Sequence, residues 1–225
     1  MSHKNDHRSK QSMSNCIAVI DFETTGLSPA MGDRATEVAI VLVEEASGKV
    51  VDRFQSLMNA GRYIPSFIEG LTGISNAMVA AAPAAETVMR EASRFVGNAP
   101  MVAHNASFDR RFWQAELSLA GEEQASAANQ PFACTMLIAR RLYPQAPSHK
   151  LGVLIDYHRL PKAGRAHRAM ADAEMAASLL GRIQDDLRSR HRVARPDHGL
   201  LMALQRCAKP AMPALMAKYS GSAVA

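Results

Sequence analysis

With 225 residues and 48% hydrophobic content, the chain has the material for one packed domain with tails, which excludes global disorder. No apolar run reaches the roughly 18 residues a bilayer span needs, so no membrane partner is expected. Cys16, Cys134 and Cys207 lie too far apart for a disulfide framework or a zinc cage, and with a polar N-terminus they suggest the cytoplasm, while a net charge of +5 permits a polyanionic partner.

Residues 1–15, with His3, Lys4, His7, Arg8 and Lys10, read as a flexible basic tail. Cys16 to Ile20 reads as a buried strand. The β-branched runs 37–43 and 50–57, joined by Ser47-Gly48-Lys49, predict a hairpin. Leu71 to Ser75 reads as a loop in which Ser75 caps a helical turn. After Pro83, apolar residues at helical spacing run to Val96, where Gly97-Asn98 is a stop signal. A short strand at 101–104 leads into a helix over 107–119, with Phe108 and Phe112 on one face. A polar, alanine-rich loop at 121–130 precedes shorter helices at 135–142 and 150–158. A long helix covers about 168–188, and beyond it a basic run and Pro196, Pro210 and Pro213 mark an extension over 189–225, irregular or partly helical. This order indicates an α/β domain over 16–188, a mixed β-sheet flanked by helices. Deleting 196–225 is expected to leave that domain active.

Four carboxylates and one histidine carry the chemistry. Asp21 and Glu23 end the first strand, and alternation puts both on one face. Asp109 stands in the first turn of the helix after the short strand, and His167 precedes Asp172 on the last long helix. Such an oxygen set suits Mg²⁺ or Mn²⁺, and two ions about 3.5–4 Å apart can activate water and steady a leaving oxygen. His167 is the natural general base near neutral pH. Of the other polar residues, His104 is expected to pack or hydrogen-bond near the site, His149 to cap or order a loop, His158 to face solvent, and Glu37 to pair with Arg34.

Val19-Ile-Asp-Phe-Glu-Thr-Thr-Gly-Leu27, His104-Asn-Ala-Ser-Phe-Asp109 and His167-x-x-x-x-Asp172 resemble the three motifs of the DEDDh 3′→5′ exonucleases. That family is similar to the proofreading epsilon subunit of bacterial DNA polymerase III and has a ribonuclease-H-like fold. Leu71-Thr-Gly-Ile74, Cys134-Thr135 and His149-Lys150-Leu151 resemble landmarks between the motifs, and the match spans roughly residues 14–185. The resemblance implies that Asp21, Glu23 and Asp172 hold one divalent ion, that Asp21 bridges to a second supported by Asp109, and that His167 is the base. It implies that Thr24 meets the terminal sugar, that Leu27 and Ile74 press on the last base, and that Asn105 orients the phosphate region. The function implied is two-metal release of nucleoside 5′-monophosphates from a single-stranded 3′ end, with DNA favoured and a DNA polymerase as partner. RNA 3′-end trimming is the alternative substrate, and a non-catalytic nucleic-acid or polymerase-binding module is the alternative of another class.

Overall fold

The computed structural model describes residues 15–162, 164 and 167–220. The basic tail read over residues 1–15 lies outside them, Asn15 excepted. Among the described residues, five strands form one sheet: β1 (Cys16–Thr24), β2 (Ala35–Glu44), β3 (Val50–Leu57), β4 (Met101–Ala103) and β5 (Phe132–Cys134), in the order β3-β2-β1-β4-β5. The first three are antiparallel neighbours, whereas β4 and β5 run parallel to β1. The mixed, helix-flanked sheet expected from the sequence is therefore present.

The connections hold α1 (Ser66–Thr72), α2 (Asn76–Ala80), α3 (Ala85–Val96), α4 (Ala106–Leu119), α5 (Thr135–Leu142) and α6 (Leu151–Tyr157). After them come α7 (Ala169–His191), α8 (His198–Arg206) and α9 (Met212–Ser220). Ser75 caps α2 as its position suggested, its Oγ accepting the Met78 N–H at 3.2 Å. No helix among the described residues is long and apolar enough to cross a membrane.

Each face of the sheet has its own core. Ile17 and Val19 point with Ala39, Val41 and Val43 toward α7, and Ala18, Ile20 and Phe22 point with Val38, Ile40 and Leu42 toward α3 and α4. That division follows from the two-residue period of a strand. β1 continues four residues past the apolar run read as its extent, because Asp21 to Thr24 remain paired with β2. β5 was not expected; three residues are too few to show a strand pattern, and its place depends on parallel pairing with β4.

The C-terminal stretch differs from expectation in where it packs. Asp197 caps α8 through the Leu200 N–H at 2.8 Å, and Leu200, Leu201 and Leu204 are buried in the same core as α7 and β1. Gln205 closes the sheet edge: its Oε1 accepts the Cys134 N–H at 2.7 Å, and its Nε2 donates to the Phe132 carbonyl at 3.2 Å. Removing 196–225 would uncover that core, so we propose that the deletion destabilises the domain, against the expectation that it leaves the domain active. Leu201→Ala is expected to cost about 2–5 kcal/mol in urea unfolding, the usual range for a fully buried leucine; a loss under about 1 kcal/mol would mean that α8 adds little to the fold.

Candidate active site

The end of β1 collects the acidic residues. Asp21 and Glu23 continue the Ile17-Val19 face, so both aim toward the start of α7, where Asp172 sits. One carboxylate oxygen from each of Asp21, Glu23 and Asp172 lies within 4.8 Å of the others. Asp109 arrives from the opposite side. Asn105 turns the chain from β4 into α4 with φ of 70°, and in the first turn of that helix Asp109 Oδ1 accepts the Phe22 N–H at 3.3 Å. Asp109 thus holds the β1 backbone between Asp21 and Glu23 rather than joining the group of three.

Burial and like charge set the electrostatics. Asp21 is held well above the ordinary carboxylate range by burial and by the neighbouring Asp109, Asp172, Glu23 and Glu37. Glu23 is pushed up to about 8 by burial, then by Asp172 and Glu37, with Arg168 opposing. Asp109 is also raised to about 8 by burial, partly offset by backbone N–H groups including that of Phe22. Burial raises Asp172, while the nearby His167 works the other way. An all-oxygen set whose negative charges crowd one another is one that divalent cations relieve, so these residues fit hard metal ions.

Glu37 is the residue whose role the sequence left misassigned. It lies directly across from Glu23 in the sheet register and is buried. Its partner is Arg168, which donates from Nη2 to Oε1 at 2.9 Å and from Nε to Oε2 at 3.1 Å. Gln55 Nε2 and the Ala169 N–H also donate to it, at 2.8 and 3.1 Å. Burial alone would raise Glu37, but these donors more than compensate and lower it. Arg34 instead forms a two-pronged pair with Glu116, both contacts 2.9 Å, fastening α4 to the start of β2. The available signal was alternation: Glu37, Ala39, Val41 and Val43 share one face of β2.

The remaining expected residues are placed as follows. His167 is exposed, has φ of 60°, and donates its backbone N–H to Asp172 Oδ2 at 3.1 Å. Thr24 is buried, with its hydroxyl donating to the Gly26 carbonyl at 2.6 Å. Leu27, on the loop after β1, is 77% exposed. A Cβ at Gly26 would stand 2.5 Å from the Asp33 carboxylate, so glycine leaves room for Asp33, whose Oδ2 accepts the Ser28 N–H at 3.0 Å and shapes the loop. Ile74 departs from expectation: at 0% exposure it packs with Ile64, Ile68 and Val79 and offers no surface to a base. Asn105 is exposed, and its contribution at the site is the left-handed turn.

His104 contacts Thr135 Oγ1 at 2.9 Å and the His149 carbonyl at 3.0 Å, and burial lowers it to about 4. It is neutral at working pH and ties β4, α5 and the loop before α6 together. His149 does order that loop, through the Tyr143 carbonyl at 3.1 Å. His158 is half-buried rather than fully in solvent: its Nε2 is covered and its ring packs edge-on against Tyr143, 4.3 Å between centroids.

Sheet order and the acidic end of β1 together define a ribonuclease-H-like nuclease domain. The family model described as Exonuclease, RNase T, matches residues 18–180, and the chain belongs to that family. It is 36% identical to the 3′-5′ exonuclease DinG of Bacillus subtilis over 76% of this chain and 18% of that protein. It is 35% identical to a DNA polymerase III subunit epsilon-like protein of Rhodobacter capsulatus over 77% of this chain and 24% of that one. The chain therefore spans under a quarter of these two relatives. Among solved structures, Exonuclease X in complex with 5′ overhanging duplex DNA superposes with a TM-score of 0.60 at 31% identity, over 75% of this chain and 91% of that one.

Two outcomes test the site. Arg168→Ala leaves a buried Glu37 with only Gln55 and the Ala169 N–H, and should cost roughly 2–4 kcal/mol in urea unfolding, less than a wholly unpaired buried charge; an unchanged midpoint would show that the pair contributes nothing. The second concerns pH. Glu23 and Asp109 have folded pKa values above their unfolded ones, so their contribution to stability is greatest below the unfolded values and declines as pH rises toward about 8. In EDTA the chain should melt higher at pH 6 than at pH 8. Added Mg²⁺ or Mn²⁺ should raise the melting temperature more at pH 8, where the carboxylates are free of protons; equal stabilisation at both values would contradict the assignment.

Proposed function

We propose that the chain is a two-metal-dependent 3′→5′ exonuclease that removes nucleoside 5′-monophosphates from single-stranded 3′ ends, with DNA as its substrate. The observation that carries this reading is the meeting of Asp21, Glu23 and Asp172 within 4.8 Å at the end of β1, with Asp109 beneath that strand end. The DNA complex of Exonuclease X and the names of the DinG and epsilon-like relatives support polarity and substrate. The PolC-type DNA polymerase III relatives support a DNA polymerase as partner.

Asp21, Glu23 and Asp172 would hold one Mg²⁺ or Mn²⁺, and Asp21 with Asp109 a second. Bound, such ions supply Lewis acidity toward water and phosphate and offset the charge of the phosphodiester. His167, exposed, itself left-handed and separated from the start of α7 by the extended Arg168, accepts a proton as water adds to the terminal phosphorus. The bond from phosphorus to the 3′ oxygen of the penultimate nucleotide breaks, and that oxygen takes a proton from water, leaving a new 3′-hydroxyl and a free 5′-monophosphate, while His167 returns its proton to solvent. The Thr24 backbone and Leu27 would meet the terminal nucleotide, and the exposed Asn105 would help orient its phosphate. Contacts confined to sugar, phosphate and base faces make the activity tolerant of sequence.

The test is a side-by-side assay of 3′-labelled and 5′-labelled single-stranded DNA and RNA in Mg²⁺, Mn²⁺ and EDTA. Laddering from the 3′ end, abolished by EDTA and by Asp21→Ala and faster on DNA, is the expected result. Faster RNA laddering would reassign the substrate, and binding without cleavage in either metal would support a non-catalytic module. His167→Ala should lower turnover about 10²–10⁴-fold with nearly unchanged binding of the 3′ end; equal loss of binding would refute its role as base.

A further inference from the structure

Large apolar side chains stand uncovered on α1 and the turn that leads into it. Tyr63 and Phe67 are each 72% exposed and Leu71 is 48% exposed. They follow one another at intervals of four, and Phe67 and Leu71 therefore share a face of α1. Ile64 and Ile68 point the other way, into the small core that holds Ile74 and Val79. Among the described residues, no other aromatic side chain is more than 39% exposed. A fold that buries Trp113, Phe112 and Tyr143 completely yet leaves two neighbouring rings in water has a surface that departs from ordinary coverage.

The chain that leads into this face lies against the loop that follows β1. Leu27 and Met31 on that loop are 77% and 80% exposed. The loop meets the chain before α1: Arg62 Nη2 lies 3.8 Å from the place a Cβ on Gly32 would occupy, and Arg34 Nη1 donates to the Ala60 carbonyl at 3.2 Å. The loop itself begins at Thr25, two residues after Glu23. β3 ends beside the same edge of the site, since Leu57 stands opposite Glu37, and Leu57 packs on the core beneath α1. The segment that carries Tyr63 and Phe67 is thus anchored both to the loop after Glu23 and to the strand end opposite Glu37.

We propose that Tyr63 and Phe67 form a stacking platform for unpaired bases of the nucleic-acid strand engaged at the acidic centre, an inference that rests on the exonuclease reading above. The strand must be unpaired where its end enters the site, and its bases then carry apolar faces with no partner. An aromatic ring receives any base without reading its hydrogen-bonding edge, which suits an enzyme that removes nucleotides one after another. The exposed Arg62 adds a cation for the accompanying phosphates, a pairing of ring and charge that fits nucleic acid better than a purely apolar protein face.

The experiment uses the whole chain in Ca²⁺ with single-stranded DNA carrying 2-aminopurine at each of the positions near the 3′ end in turn. Binding is followed by anisotropy and stacking by quenching. With the unaltered chain, at least one position should be quenched. Phe67→Ala and Tyr63→Ala should each relieve quenching and weaken binding about tenfold, as a lost base–aromatic stack does. The slope of log affinity against log salt should not change, because no phosphate contact is removed. Phe67→Trp should restore both readouts, whereas Leu119→Ala, an exposed apolar residue at the far end of α4, should alter neither. Binding by the unaltered chain with no quenched position, or binding that Phe67→Ala and Tyr63→Ala leave intact, overturns the platform alone. A dimer in sedimentation equilibrium that Phe67→Ala dissociates overturns it in favour of a second copy of the chain. Absence of any nucleic-acid binding overturns the exonuclease reading and the platform together.

Discussion

Because successive side chains of a strand must take opposite faces, β1 serves two cores and a reactive centre with one stretch of backbone. Ile17 and Val19 anchor the α7 side, Ala18, Ile20 and Phe22 anchor the α4 side, and Asp21 and Glu23 inherit the α7 direction with no further instruction. The same backbone then offers the Phe22 N–H to Asp109 on α4. Packing α7 across β1 and β2 fixes Asp172, and packing α4 beneath fixes Asp109. A slip of one residue in β1 would reverse every one of these directions at once.

The acidic centre opposes folding in the absence of cations, and ion pairs at its margins compensate. Glu37 would be another crowded carboxylate beside Glu23, but Arg168, Gln55 and the Ala169 N–H keep it ionised and in place. Arg34 and Glu116 hold the opposite flank by the same two-pronged geometry. His167 stands just outside the first of these anchors. Its neighbour Arg168 is pinned by two hydrogen bonds, while its own side chain faces solvent, so a fixed backbone carries a freely placed imidazole.

Local chemistry made much of this legible in the sequence. The apolar alternation around Cys16–Ile20, the β2–β3 hairpin, the Ser75 cap and the helices of the middle region are properties of short segments. The carboxylates were visible because their types and order match one chemistry. What stayed hidden depends on distant partners. Arg34 and Arg168 were both available to Glu37, and the true pair is separated by 131 residues. Ile74 belongs to a motif but is covered by Ile64, Ile68 and Val79, a fact of packing alone. Beyond α7, Pro196 and Pro210 looked like interruptions, yet Pro196 stands just before the Asp197 cap and Pro210 sits in a turn before α9. Proline at such positions delimits helices rather than preventing them.

Gln205 gives the sheet an end. A strand at the border of a sheet presents N–H and C=O groups that another polypeptide can adopt, which is how folded chains join into extended aggregates. Here one amide side chain from α8 occupies both a donor and an acceptor of β5, doing in miniature what a sixth strand would do. The covering group belongs to a helix, so it cannot itself propagate the ladder. Colloidal behaviour in concentrated solution is therefore tied to a residue far from the chemistry, and a chain that kept every carboxylate but lost this amide would keep its reaction centre while becoming more adhesive to copies of itself.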